Sequence, residues 1–283
     1  MSYLHHIRAC NSHDLSGFLP FHVGPDRVGW VRHELAERLT RFDDVFTVEP
    51  DRISLLASLN TFETRSEAMA RVLGELVADG TVSQLRGEDY PVLTSWGQPP
   101  LLKMDRAAVA HFGIRSYGLH INGFVRRSDG IHLWVGKRAT DRKIAPGKLD
   151  NLVAGGQPIG LTLDENLVKE AHEEAGLSAE AARRAVPVGV VSYLMEHPAG
   201  LKPDTLFIYD LEVAEDFVPR NTDGEVEHFM LWPLDEVAQR VRETDDFKFN
   251  VNLVIIDFLI RHGYLKPDDA EYPELAIGLR RAV

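Results

Sequence analysis

Apolar and polar positions follow two rhythms along this chain. In GWVRHELAERLTRF (29–42) and RSEAMARVLGELVADG (65–80) apolar residues return every three or four positions, which predicts helices. The second carries its stripe on Ala68, Val72, Leu73 and Leu76 and stops at Gly80. Short apolar pieces lie between and after them: VFTVE (45–49), ISLLA (53–57) and TVSQLRG (81–87), each read as a strand. The Gly and Pro of TSWGQPPLL (94–102) mark a connection. The expected division is therefore an accessory α/β domain over 1–105 and a second domain over 106–283.

In the second part, β-rich runs lead. YGLHINGFVRR (117–127) and IHLWVGKRA (131–139) flank the turn signal SDG (128–130) and predict a hairpin. VPVGVVSYLMEH (186–197), TLFIYDLEV (205–213) and EVEHFMLWPL (225–234) predict further strands. Helical patterns occupy about 164–176, 234–243 and 250–262. The expected fold class is α/β, a mixed sheet packed between helices. Internal repeats and low-complexity tracts are absent from the sequence.

Charge narrows the function classes. Against 31 Lys and Arg stand 43 Asp and Glu, a formal net charge of −12, and the basic residues form no run. Such a chain repels nucleic acid and anionic membrane surfaces. Cys10 is the single cysteine, so no intramolecular disulfide forms, which fits a reducing compartment. MSYLHHIRACNSHDLSGF lacks the apolar core of a signal peptide, and VNLVIIDFLI (251–260) is shorter than a bilayer span and contains Asp257. The expectation is a cytoplasmic protein with a small-molecule partner and neither nucleic acid nor membrane.

The chemistry concentrates in KEAHEEAGL (169–177). On a helix Glu170, Glu173 and Glu174 fall within an arc of about 100°, beside an apolar arc of Leu167, Val168, Ala171 and Ala175. Thr162 and Glu165 have the spacing of a capping box, and Gly176 suits the C-terminal stop. Like charges at this spacing cost about 0.2–0.5 kcal/mol per pair, so a solvated acidic face is one reading. The other is a site for Mg²⁺ or Mn²⁺, because hard oxygen ligands on one rigid face suit such ions. The glycine-rich run LDNLVAGGQPIGLTLDEN (149–166) leads into the helix and favours this second reading. Loop, helix and acidic ligands together are what metal-assisted phosphoryl transfer requires.

GGQPIGLTLDENLVKEAHEEAGL (155–177) resembles the Nudix box, G-x5-E-x7-R-E-U-x-E-E-x-G-U, with U a bulky apolar residue. Gly155 opens the box, and Glu170, Glu173, Glu174, Gly176 and Leu177 match its closing half. Leu161 stands at the first glutamate position, Lys169 at the arginine and the smaller Ala171 at the apolar position. The wider sequence, about 15–262, resembles a Nudix subgroup with an extra N-terminal domain, related to the Nudix region of fungal thiamin pyrophosphokinase-like proteins. This resemblance implies a Nudix α/β/α sandwich behind a small mixed α/β domain. It implies hydrolysis of a diphosphate linkage, with thiamin diphosphate or its damaged analogues as one substrate class. ADP-ribose or another nucleoside diphosphate derivative is the alternative, as is a diphosphate-binding protein without turnover.

The same resemblance implies Glu170, Glu173 and Glu174 as metal ligands, with the Gly155 carbonyl as a further one. Glu173, Glu174 or a later acid, Glu225 before Glu227, would position or deprotonate water. Glu225 and Glu227 would share one side of an extended strand, or simply form its polar face. Arg138, Lys143, Asn122 and Gly156 are the candidate substrate contacts, with Lys148 behind them. A solvated basic loop and a locally satisfied Asn122 are the alternatives. Trp134, Tyr193 and Phe207 would either stack on a ring or pack in the core. His120 and His172 are weaker candidates, His172 with a surface position. A homodimer is the expected assembly on family grounds.

Overall fold

The computed structural model describes residues 2–281. Its first part comprises α1 (Tyr3–Ala9), β1 (Phe18–Val23), β2 (Asp26–Arg32), α2 (His33–Leu39), β3 (Phe46–Glu49), β4 (Arg52–Leu55) and α3 (Phe62–Ala78). The strands form one sheet in the order β2-β1-β4-β3. α3 is the 65–80 pattern lengthened at its start, where Thr61 and Thr64 close a capping box. Met69, Val72, Leu73 and Leu76 are its buried stripe.

Two local expectations change. The helix expected over 29–42 is shorter, because 29–32 belong to β2. There the Trp30 N–H donates to the distant Phe112 carbonyl at 2.9 Å, a tertiary bond that holds the backbone extended. The strand expected over 81–87 does not form. Instead the Val82 N–H donates to the Leu76 carbonyl at 2.9 Å, so the segment ends α3.

β5 (Asp89–Val92) and β6 (Leu102–Asp105) pair antiparallel across the Gly- and Pro-bearing stretch. That stretch is a hairpin loop; a linker carries the same local signal. Packing departs from the expected division at 105 at both ends. The first apolar core runs from Leu19 to Ile114, while Tyr3, Ile7 and Cys10 of the N-terminal segment join the second.

The second part comprises β7 (Ser116–Arg127), β8 (Gly130–Arg138), β9 (Leu149–Asp150), β10 (Val153–Gly156), α4 (Leu163–Ala175), α5 (Ala179–Ala182), β11 (Val186–His197), β12 (Gly200–Glu212), β13 (Val226–Pro233), α6 (Leu234–Glu243), α7 (Phe249–Arg261) and α8 (Tyr272–Gly278). Its sheet runs β11-β12-β7-β8-β13, with β10 on β7 and β9 on β8. β7 and β12 are parallel and the other pairs antiparallel, so the sheet is mixed. The expected hairpin closes at Arg127 and Gly130. One face of the sheet packs against α1, α6 and α7. The other packs against α4 and α5. The result is an α/β/α sandwich. Among the described residues, no helix is long and apolar enough to cross a membrane.

Candidate active site

The sequence sets both ends of α4. Thr162 and Glu165 bond reciprocally at the N-cap, and Gly176 closes the helix at φ 66°. The acidic arc is not a solvated face. Glu170 and Glu174 are buried with Leu167, Ala171 and Ala175, and only Glu173 reaches solvent. Glu174 accepts the Ala154 N–H of β10 at 2.8 Å. Glu170 lies against Gly155, where a Cβ would come within 2.4 Å of its Cγ and Cδ. Glycine at 155 is thus a steric requirement of this contact.

Burial pushes the Glu174 carboxyl well above the usual range, and the charges of Asp150 and Glu170 add to the shift. Burial also raises Glu170, against the opposing pull of Lys169. The Lys169 ammonium donates to Glu170 at 3.0 Å and to Glu173 at 2.8 Å. Among the described residues, no three His, Cys, Asp or Glu side chains are gathered tightly enough to hold an ion as they stand. The donor set nevertheless fits a hard divalent cation. Its side chains offer only carboxylates, two of the three buried at an electrostatic cost that a cation would offset.

β10 joins this cluster to a cavity of about 870 Å³ between the two parts of the chain. None of the three glutamates lines it, but Ala154, Gly155, Gly156 and Glu225 do. The lining is cationic in an acidic protein: Arg106, Arg142, Lys143, Lys202 and Lys248 all reach it. Among its aromatic residues Tyr117 and Tyr193 are buried and Phe249 is half-buried. A cavity of this size suits a small-molecule ligand.

The remaining candidates divide. Lys143 lines the cavity, as does Gly156, which packs against the Tyr90 hydroxyl. Glu225 lines it too, paired to Arg142 at 2.5 Å. Glu227 is exposed at a bulge, which breaks the alternation that would have aligned it with Glu225. Arg138 lines the cavity, but its guanidinium is engaged by Asp150 at 2.8 Å and by the Ile144 carbonyl. Asn122 corrects the expectation outright: it is fully buried away from the cavity. It donates to Asp210 at 3.0 Å and accepts from Asn151 at 2.9 Å, a satisfied internal network. Lys148 bonds the Asp245 carbonyl, outside the cavity. Of the three candidate aromatics only Tyr193 lines it, fully buried; Trp134 packs on Phe217, and Phe207 on Trp96 and Tyr117. His172 is on the surface.

His120 belongs to the cavity wall, with Nδ1 2.8 Å from Asn151 Oδ1. Burial lowers its pKa to about 4. The unfolded chain therefore binds the extra proton at higher pH, and stability is lost as pH falls from 6.5 towards 4. At pH 5 the loss amounts to about 2 kcal/mol. His120→Asn removes this titration. Its melting temperature should fall less between pH 7 and pH 5 than that of the wild type, and parallel curves would refute the assignment.

Residues that sequence reasoning missed are Arg142, Lys202, Lys248 and, from the first part, Tyr90, Arg86 and Arg106. Only Arg142 had a local signal, within KRATDRK (137–143).

Residues 2–116 match a family model described as a domain of unknown function, DUF4743. Nudix hydrolase 20, chloroplastic, of Arabidopsis thaliana is 44% identical over 97% of this chain and 76% of its own length. Nudix hydrolase 24, chloroplastic, of the same plant is 42% identical over 98% and 77%. The crystal structure of DR0079 from Deinococcus radiodurans shares 18% identity over 59% of this chain and 96% of its own, with a TM-score of 0.43. With relatives of this identity over nearly its whole length, and two of the box glutamates, Glu170 and Glu174, set against β10, the chain belongs to the Nudix hydrolase family.

Proposed function

We propose that this Nudix hydrolase cleaves the diphosphate linkage of a small organic or nucleoside diphosphate, with Mg²⁺ or Mn²⁺ as its cation. Thiamin diphosphate and its damaged analogues are the first substrate class, and ADP-ribose and related nucleoside diphosphates the second. The observation that carries the reading is the pair of buried glutamates, Glu170 and Glu174, on α4, packed against the strand that lines a cationic cavity. The cytoplasmic location and the homodimer belong to the same proposal, and sedimentation of the purified chain tests the second.

Glu170, Glu173 and Glu174 would hold the cation, with the Gly155 carbonyl as a further donor. When bound, it supplies charge neutralisation of the diphosphate and activation of water. Lys143 and Arg142 line the cavity and bind phosphate oxygens there. Glu225, held by Arg142, orients or deprotonates the attacking water. Phe249, half-buried in the cavity wall, presents ring surface to the organic group.

Release of phosphate and monophosphate is the test, with thiamin diphosphate, its oxidised analogues, ADP-ribose, NADH and oxidised nucleoside triphosphates as substrates. Cation-dependent release from one of them is expected. Silence across the panel, with calorimetric binding retained, would leave a diphosphate binder instead. Leu161→Glu restores the usual box residue, yet little gain is expected. Leu161 lies before the N-cap Thr162 and outside the cavity lining, and its carbonyl accepts from Gln157 at 2.7 Å. A hundredfold gain in kcat/KM would show that the native box is impaired.

A further inference from the structure

The cavity has two walls, and the second belongs to the N-terminal part of the chain. We propose that this part supplies an anion-binding residue to the active site, Arg86, which grips the phosphate group across the cavity from Arg142 and Lys143. The proposal rests on the hydrolase reading above and adds a function for the N-terminal unit.

Three observations carry it. The first is rigidity of the seam. The Ile159 N–H, in the loop leading to α4, donates to the Asp89 carbonyl of β5 at 2.9 Å. The Tyr90 hydroxyl lies so close to Gly156 that a Cβ there would come within 1.7 Å of it. The β5–β6 hairpin is therefore docked on the glycine loop of the box. The backbone at the base of this hairpin is pinned as well: the Asp105 carboxylate accepts the Arg86 N–H at 3.0 Å and the Gly87 N–H at 2.8 Å. Arg86 thus has a fixed position relative to the cluster on α4.

The second is charge. Most arginines of the lining already have carboxylate partners: Arg106 has Glu88 at 2.6 Å, Arg142 has Glu225 at 2.5 Å and Arg138 has Asp150 at 2.8 Å. The Arg86 guanidinium forms no ion pair or hydrogen bond among the described residues, although the chain as a whole is acidic by twelve charges. Partial desolvation of this exposed side chain, then the neighbouring Arg106 and Arg142, disfavour its charge, which an anion between them would relieve.

The third is shape. A smaller cleft of about 420 Å³ is lined by Gln84, Leu85 and Arg86 from the first part and by Asp141, Arg142 and Lys143 from the second. Arg86 therefore shares an open cleft with the two cations assigned to phosphate. A planar fork on one side and two cations on the other match the oxygens of a diphosphate.

The test uses the full chain with two readouts. Calorimetry measures binding of inorganic pyrophosphate, and steady-state kinetics with Mg²⁺ measures kcat and KM on the best substrate. Arg86→Ala should weaken pyrophosphate binding and raise KM by about 10- to 100-fold, the scale of a lost charge-assisted contact, with a smaller change in kcat. Arg86→Lys should recover part of the loss, because charge remains while the fork is gone. Arg126→Ala, a surface arginine paired with Glu212 outside the cavity, controls for net charge and should behave as wild type. Arg86 is exposed, so the variants should melt with the wild type. Wild-type binding of pyrophosphate by Arg86→Ala, or no binding by the wild type, would overturn the proposal. Either result leaves cation-dependent turnover, and hence the hydrolase reading, standing on its own assay. Loss of turnover throughout with Arg86-dependent pyrophosphate binding would overturn the hydrolase reading alone.

Discussion

Glu174→Gln should lower Mg²⁺-dependent turnover by about a thousandfold, some 4 kcal/mol of transition-state stabilisation, while making the metal-free protein more stable. Both effects have one cause. Glu174 is a buried carboxylate that accepts a single backbone N–H, from Ala154. Burial and the charges of Asp150 and Glu170 raise its pKa well above the usual range. Glutamine keeps the shape and the acceptor for Ala154, but removes the charge that a cation requires.

The pH dependence has a definite sign. The folded pKa of Glu174 lies above its unfolded value, so its ionisation opposes folding. That destabilisation is absent below the unfolded pKa and grows as pH rises through the folded one. The stability advantage of Glu174→Gln over metal-free wild type should therefore widen between pH 5 and pH 8. Added Mg²⁺ should then raise the wild-type melting temperature and leave the variant nearly unmoved. Unchanged turnover in the variant would remove the α4 cluster from the chemistry. A variant less stable than wild type at pH 8 would refute the account of the buried charge.

Gly155→Ala should cost about a hundredfold in turnover and about 1–3 kcal/mol in stability. The added methyl would lie 2.4 Å from Glu170 Cγ and Cδ and 2.7 Å from its Oε2. Glu170 is buried, so its carboxylate cannot simply swing into solvent. It must leave its place beside Glu174, or β10 must move away from α4. A double-mutant cycle separates this clash from any general weakness of the strand. In a Glu170→Ala background the methyl has room, so most of the stability cost of Gly155→Ala should vanish, with a coupling of at least about 1 kcal/mol. An equal cost in both backgrounds would show that the close approach to Glu170 is not what requires glycine.

Much of the second part was legible because its signals are local. The capping box at Thr162, the stop at Gly176 and the hairpin at 128–130 all formed where spacing placed them. The helix expected at 234–243 is α6, Leu234–Glu243. The first part was less legible. The residues 29–32 read as helix, yet a bond to Phe112 holds them in a strand. The residues 81–87 read as strand, yet they are irregular, and Val82 closes the end of α3. Short amphipathic pieces carry little intrinsic preference, so contacts remote in sequence decide them.

The site divides in the same way. The sequence by itself determined which residues share a face of α4, since helical spacing places Glu170, Glu173 and Glu174 together wherever the helix goes. Only the tertiary structure decided which of them lost their water. Glu170 and Glu174 are buried against β10 and Glu173 is not. Asn122 looked like a pocket residue in a strand, but partners 29 and 88 positions away absorb it. Arg138 carries the right charge, and Asp150 already holds it. Arg86 and Tyr90 gave no sign of belonging to the site, because what places them there is a docked hairpin. Spacing along the chain reports local geometry, whereas burial, pairing and the closing of a cavity depend on segments that meet only in the folded state.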